Sequence, residues 1–129
     1  MALDVHVVTP EREVWSGEAT MVIARGTDGE VGILSGHAPL LIQLAVGPLR
    51  IEQAEGGWLA AVADGGFMHV TSGEDGTRVD VMASTAEMAS EIDVEAARRR
   101  RDELVASAGD DETAKAELAK AEARVAITG

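Results

Sequence analysis

The chain has no cysteine and no tyrosine, and its aromatic side chains are Trp15, Trp58 and Phe67 only. Without thiols there can be no disulfide framework and no thiolate chemistry. With so few aromatics, the core has to be built from Val, Ile, Leu, Ala and Met. No apolar run approaches the ~20 residues that a membrane-spanning helix needs, so direct membrane insertion is not expected. The amino-terminal Met-Ala-Leu-Asp lacks the basic segment and apolar stretch of a secretory leader, which fits a cytosolic location. Positive charge is also scarce. The formal net charge is −12, and a nucleic-acid binder must neutralise phosphates with Lys and Arg, so nucleic acid is excluded as a partner.

Catalytic and metal-binding patterns are missing as well. His6, His37 and His69 show no His-x-x-x-His or His-x-His spacing, so no metal site is expected. Ser35 precedes His37 by two residues, but no Gly-x-Ser-x-Gly elbow surrounds it. Gly-x-Gly-x-x-Gly and Walker-type phosphate loops are absent. No residue is assigned a catalytic role, and no cofactor is implied.

What is present divides into two parts. Residues 1–88 hold four basic and thirteen acidic side chains, whereas residues 89–129 hold seven and ten. In the first part, short apolar runs recur every eight to twelve residues between turn signals, the rhythm of an antiparallel sandwich. Leu3, Val5 and Val7 alternate with Asp4 and His6. Met21–Ala24 leads through Asp28-Gly29 to Val31–Leu34, a hairpin signal. Leu40–Val46, Leu49–Glu52, Trp58–Ala63, Phe67–Val70 and Arg78–Met82 follow, giving about eight to ten strands.

At Ser84 the pattern changes to Ala, Glu and Arg, strong helix formers. Asp93 suits the N-cap of a helix ending near Ala108; Gly109 suits its stop, and Asp110-Asp111-Glu112 places acid at the start of a second helix. The short link implies an antiparallel helical hairpin. The whole is therefore an α+β chain: a β-sandwich over residues 1–86 and a helical hairpin over 87–129. The hairpin's apolar faces are thin. Val94, Ala97, Leu104 and Ala108 form a stripe interrupted by Arg101. Ala114, Leu118, Ala121 and Val125 form a seam widened by Ala116, Ala119, Ala123 and Ile127. Such a hairpin reads either as a fixed cap or as an arm able to detach. Arg98, Arg99, Arg100 and Arg101 sweep most of the helix circumference, with expected pairs Arg98–Asp102 and Arg99–Glu103 and spare guanidiniums for an outside partner.

In order and spacing, Val8–Val14, Gly17-Glu-Ala, Gly29–Leu41 (Gly-Glu-Val-Gly-Ile-Leu-Ser-Gly-His-Ala-Pro-Leu-Leu), Gly65-Gly66-Phe67 and Val79–Ala83 resemble the epsilon subunit of bacterial F-type ATP synthases. The resemblance spans the whole chain, and the Gly-Ile-Leu-x-Gly-His-Ala-Pro stretch is its specific part. It implies a peripheral central-stalk protein on the cytoplasmic face of the bacterial plasma membrane. Its sandwich would dock on the gamma subunit and on the rotor ring of c subunits. Its hairpin would fold on the sandwich or extend toward alpha and beta, inhibiting ATP hydrolysis. A ring contact is implied for Glu30, Gly32, His37 and Pro39, and a beta-subunit contact is expected of Arg98, Arg99, Arg100 and Arg101. Some members bind ATP on the folded hairpin; Glu87, Ile92, Asp93 and Arg124 match that site. Ala96 and Glu103 stand where the site carries arginines, so ATP is expected to bind weakly at best.

Overall fold

The computed structural model describes residues 2–107 and 109–128. Nine strands come first: β1 (Leu3–Val8), β2 (Glu13–Gly26), β3 (Gly29–Leu34), β4 (Leu40–Gln43), β5 (Gly47–Gln53), β6 (Trp58–Asp64), β7 (Phe67–Gly73), β8 (Gly76–Met82) and β9 (Thr85–Met88). A short 3₁₀ turn (Ala89–Glu91) leads to the helices α1 (Val94–Ser107) and α2 (Glu112–Thr128).

The strands form two sheets that share β2. Its first half pairs with β1, which continues through β8 and β7 to β4; its second half pairs with β3 on one side and β5 on the other, then β6 and β9. The register slips at Thr20, between Ala19 and Met21, where β2 passes from one sheet to the other. Such a one-residue irregularity bends a strand and lets it turn a corner. We call the β4-β7-β8-β1-β2 layer sheet one and the β3-β2-β5-β6-β9 layer sheet two. All pairings are antiparallel except β1 with β8, which run parallel. Parallel neighbours need a long crossover, and here the six strands β2–β7 supply it.

The inner faces meet in one aliphatic core. Leu3, Val5 and Val7 of β1, Ile33 of β3, Leu49 and Ile51 of β5, Met68 and Val70 of β7, and Val79 and Val81 of β8 are fully or almost fully buried. Each set alternates with outward residues, as the two-residue side-chain period requires. The glycine-rich turn at 65–66 is required by geometry: Gly66 has φ +85°, and a Cβ there would run into the Met82 carbonyl.

Besides β4, which ends at Gln43 rather than at Val46, two strand boundaries differ from the sequence reading. Residues 13–26 form one unbroken strand, and Thr85–Met88 add β9, in which Ala86 and Met88 face the core. Glu87 is thus a sheet residue, and β9 runs across the 86/87 division.

Both helices are N-capped by aspartate. Asp93 Oδ1 accepts from the Glu95 and Ala96 amides at 3.1 and 3.2 Å, and Asp111 Oδ1 accepts from Thr113 N at 3.3 Å. Gly109 has φ +52°, the left-handed conformation that lets the chain reverse. In α1, Ala97 and Leu104 are buried; Ala108 lies outside the described residues. In α2, Ala121 and Ala123 are buried and Ala114, Leu118, Val125 and Ile127 partly so, but Ala116 and Ala119 are exposed and do not widen the seam. α1 packs chiefly against α2, and α2 rests on the outer face of β5 and β6.

Candidate interaction surfaces

On the outer face of sheet one, an apolar row crosses four strands. Phe67 of β7 stands opposite Met82 of β8, and Met82 stands opposite Val8 of β1. Leu41 of β4 joins them diagonally, since its neighbours Leu40 and Ile42 point into the core. Leu41 is 63% exposed, Phe67 49% and Met82 41%, so the row is open to solvent. Beyond it the same face turns polar, with His69, Asp80 and His6 on the next rung and Arg78 held by Asp80 at 3.0 Å. The sequence reading assigned docking to the sandwich face without naming these side chains. Their signal was an apolar residue at each position that strand alternation turns outward.

Glu30 and Gly32 lie exposed on β3, and the 35–39 loop carrying His37 and Pro39 follows its far end. These four residues do not form one cluster. Glu30 and Leu34 are separated by about 13 Å of strand, and His37 lies beyond Leu34. Glu30 borders a cleft of about 300 Å³ between the 26–31 hairpin and Leu41–Gln43 of β4. The His37 loop is fastened elsewhere: Gly36 N donates to Thr77 Oγ1 at 2.8 Å and Ser72 Oγ donates to the His37 carbonyl at 2.6 Å. Pro39 is exposed at the exit of this loop.

The hairpin is fastened to the sheets by charge. The Arg124 guanidinium grips Glu87 through Nε, at 2.8 Å, and through Nη2. Lys120 Nζ stands 3.7 Å from Asp64 and 3.2 Å from Thr85 Oγ1. Arg12 of the β1–β2 turn donates to Glu91 at 2.7 Å and holds the connector. Two of the four nucleotide-site candidates, Glu87 and Arg124, therefore satisfy each other. Asp93 is engaged as a helix cap and Ile92 is half-buried in the connector.

The four arginines of α1 pair differently from the expected i,i+4 pattern. Arg98 meets Glu95 at 3.3 Å, Arg101 meets Asp102 at 3.1 Å, and Arg100 meets Glu103 at 3.6 Å and Glu117 of α2 at 2.6 Å. The antiparallel packing of α2 turns Arg100 toward Glu117, which single-helix spacing cannot reveal. Arg99 has no carboxylate within 4.0 Å among the described residues. Among those residues, too, no helix is long and apolar enough to cross a membrane.

Residues 2–89 match the family described as ATP synthase, Delta/Epsilon chain, beta-sandwich domain. Over 125 residues the chain is 45% identical to the ATP synthase epsilon chain of Thermobifida fusca, covering 95% of this chain and 89% of that one. Over 101 residues it is 46% identical to the epsilon chain of Streptomyces griseus, covering 77% and 78%. Among solved structures, it superposes with a TM-score of 0.73 and 26% identity on a chain of the Euglena gracilis mitochondrial ATP synthase OSCP/F1/c-ring structure, covering 98% of this chain and 77% of that chain. A two-sheet sandwich sharing one strand, a charge-fastened helical pair and these relatives together place the chain in the epsilon-chain family of ATP synthases.

Proposed function

We propose that the chain is a non-catalytic central-stalk subunit that joins a membrane ion-driven ring to the gamma subunit and to the catalytic alpha and beta subunits. Its exposed apolar row on sheet one carries this reading. Leu41, Phe67, Met82 and Val8 form a contiguous surface on a rigid sheet, and clustered exposed apolar side chains of this kind serve as protein-binding anchors. This row is the gamma-docking face. The test is affinity for purified gamma. Phe67→Ser with Met82→Ser should weaken binding by tenfold or more, about 1.4 kcal/mol or greater, with the circular dichroism spectrum unchanged. Undiminished affinity would remove gamma from this face.

The β3 edge and the 35–39 loop, through Glu30, Gly32, His37 and Pro39, meet the ring of c subunits. The ring loops are polar, and these two sites offer a carboxylate, an imidazole and open backbone. The protein works as a peripheral subunit on the cytoplasmic face of the bacterial membrane.

The hairpin regulates ATP hydrolysis. The buried side chains of α2 are two alanines, with its larger apolar residues only partly covered, and one methyl contributes about 0.8 kcal/mol against about 1.5–3 for a fully buried Leu. Detachment from the sheet therefore costs little, and the freed α1 carries Arg98–Arg101 toward acidic surface on alpha and beta. Replacing all four with Gln should relieve inhibition of ATP hydrolysis in the assembled enzyme; unchanged inhibition would sink this part. ATP is a weak ligand at most, because Glu87 and Arg124 already neutralise each other and Ala96 and Glu103 offer no cation.

A further inference from the structure

Sheet two is covered by the hairpin over only part of its outer face. α2 lies along β5 and β6, and Arg124 holds Glu87 on β9. Toward the other end, Leu34 stands opposite Met21, Met21 opposite Glu52, and Glu52 opposite Trp58. One rung nearer the hairpin, Ile23 stands opposite Arg50 and Arg50 opposite Ala60. Leu34 is 53% exposed and Trp58 52%. Two hollows lie here and share Arg50. One, of about 430 Å³, is lined by Ile23, Arg50, Trp58 and Ala60. The other, of about 410 Å³, runs between Arg25, Pro48 and Arg50 on the sheet and Ala119, Glu122 and Ala123 on α2.

The charges there are unusual for this molecule. Acidic side chains outnumber Lys and Arg by 23 to 11. Every other Lys or Arg except Arg99 has a carboxylate within 4.0 Å among the described residues, but Arg25 and Arg50 have none. Arg25 stands across the β2–β3 pair from Glu30, but its side chain lies over Gly47 of β5, and the two do not pair within 4.0 Å. Arg25 and Arg50, diagonal to each other on one face and next to a half-exposed indole, form an incomplete site. A guanidinium fork matches a carboxylate with two parallel hydrogen bonds. Glu122 lines the same hollow and repels the dense charge of a polyphosphate, whereas spaced carboxylates on a polypeptide can avoid it.

We propose that this half of sheet two docks an acidic polypeptide segment of a neighbouring subunit, with carboxylates on Arg25 and Arg50 and an apolar side chain between Ile23 and Trp58. The inference rests on the chain being a subunit of a larger assembly. The site lies beside the hairpin, so a segment bound there also borders α2 at Ala119 and Glu122.

The experiment places a photoreactive benzoylphenylalanine at Ala60 in one preparation and at Phe67 in another, each assembled in the purified complex. Crosslinked peptides are then mapped by mass spectrometry. The Ala60 probe should capture a segment of net negative charge on one subunit. R25Q/R50Q should cut that yield by roughly tenfold, the effect of losing two charge-assisted contacts, while capture at Phe67 stays unchanged. Capture at Phe67 with none at Ala60 overturns the acidic-segment site and leaves the stalk reading standing; failure of both probes removes the assembly reading and this inference with it. Ala60 capture that is insensitive to R25Q/R50Q, or that maps to a segment without carboxylates, also overturns the site. Binding of ATP or inorganic phosphate to the free chain, abolished by R25Q/R50Q, would reassign the hollow to a small anion.

Discussion

Gly66 shows how strongly one position can be constrained. It adopts φ +85°, and a Cβ built there would collide with the backbone of Met82 and Ala83. Gly66→Ala should lower stability by roughly 2–4 kcal/mol, combining left-handed backbone cost with overpacking against a neighbouring strand. Urea denaturation measures it, and a change under about 1 kcal/mol would show that the β6–β7 turn relaxes freely. Asp93 was legible as a cap because capping is local: a short acceptor one residue before a helix meets free amides wherever it occurs. Asp111 was legible only as acid at the start of the second helix, and its bond to the Thr113 amide makes it the cap. The partner of Arg100 was not legible, because it answers to Glu117, seventeen residues away across the hairpin, whereas Arg98 and Arg101 pair locally, with Glu95 and Asp102 rather than at the expected i,i+4 spacing. Likewise, the pairing of Glu87 with Arg124 depends on where α2 lands on β9.

At the scale of elements, the hairpin's attachment is the quantity to measure. Arg124–Glu87 and Lys120–Asp64 are partly exposed pairs, with side chains between 25% and 35% accessible. Such pairs contribute about 1 kcal/mol or less each and weaken as salt screens them. Glu87→Gln should speed amide exchange in α1 and α2 by roughly fivefold, as expected for ~1 kcal/mol, leaving β1, β7 and β8 unaffected. Adding Arg124→Gln should have little further effect, since either change alone breaks the pair. Strand exchange that rises equally would mean that sheet and hairpin open together. Most strands could be read from alternation and turn residues. β9 escaped because four residues carry too little periodicity, and its Thr85-Ala-Glu-Met88 sequence borders an Ala- and Glu-rich region that reads as helix. The continuity of β2 escaped because Gly17 looks like a break; in the fold its bare Cα makes room for the Trp15 ring.

For the whole molecule, the sandwich and the hairpin should melt separately. Trp15 and Trp58 both belong to the sheets, in β2 and β6, so tryptophan fluorescence follows the sandwich. Far-ultraviolet ellipticity is dominated by α1 and α2. On heating, ellipticity should fall before fluorescence shifts, and added salt should move only the first transition to lower temperature. Coincident transitions would mean one cooperative unit. The overall architecture was legible because a period of two gives way to helix-forming composition near one point in the chain. The apolar face proposed for docking was only partly legible: an outward Phe or Met can be identified once strand neighbours are known, and those neighbours are set by long-range register. The diagonal placement of Arg25 and Arg50 on sheet two follows from the same register.

The strand β2 has a mechanical consequence. Face-to-face sheets joined only by loops can slide over each other, with side chains alone resisting the shear. Here one covalent ribbon of fourteen residues belongs to both layers. A twisting load applied to the Phe67 side would be carried into the layer that bears the hairpin and the β3 edge through peptide bonds, a path that resists shear between the two layers.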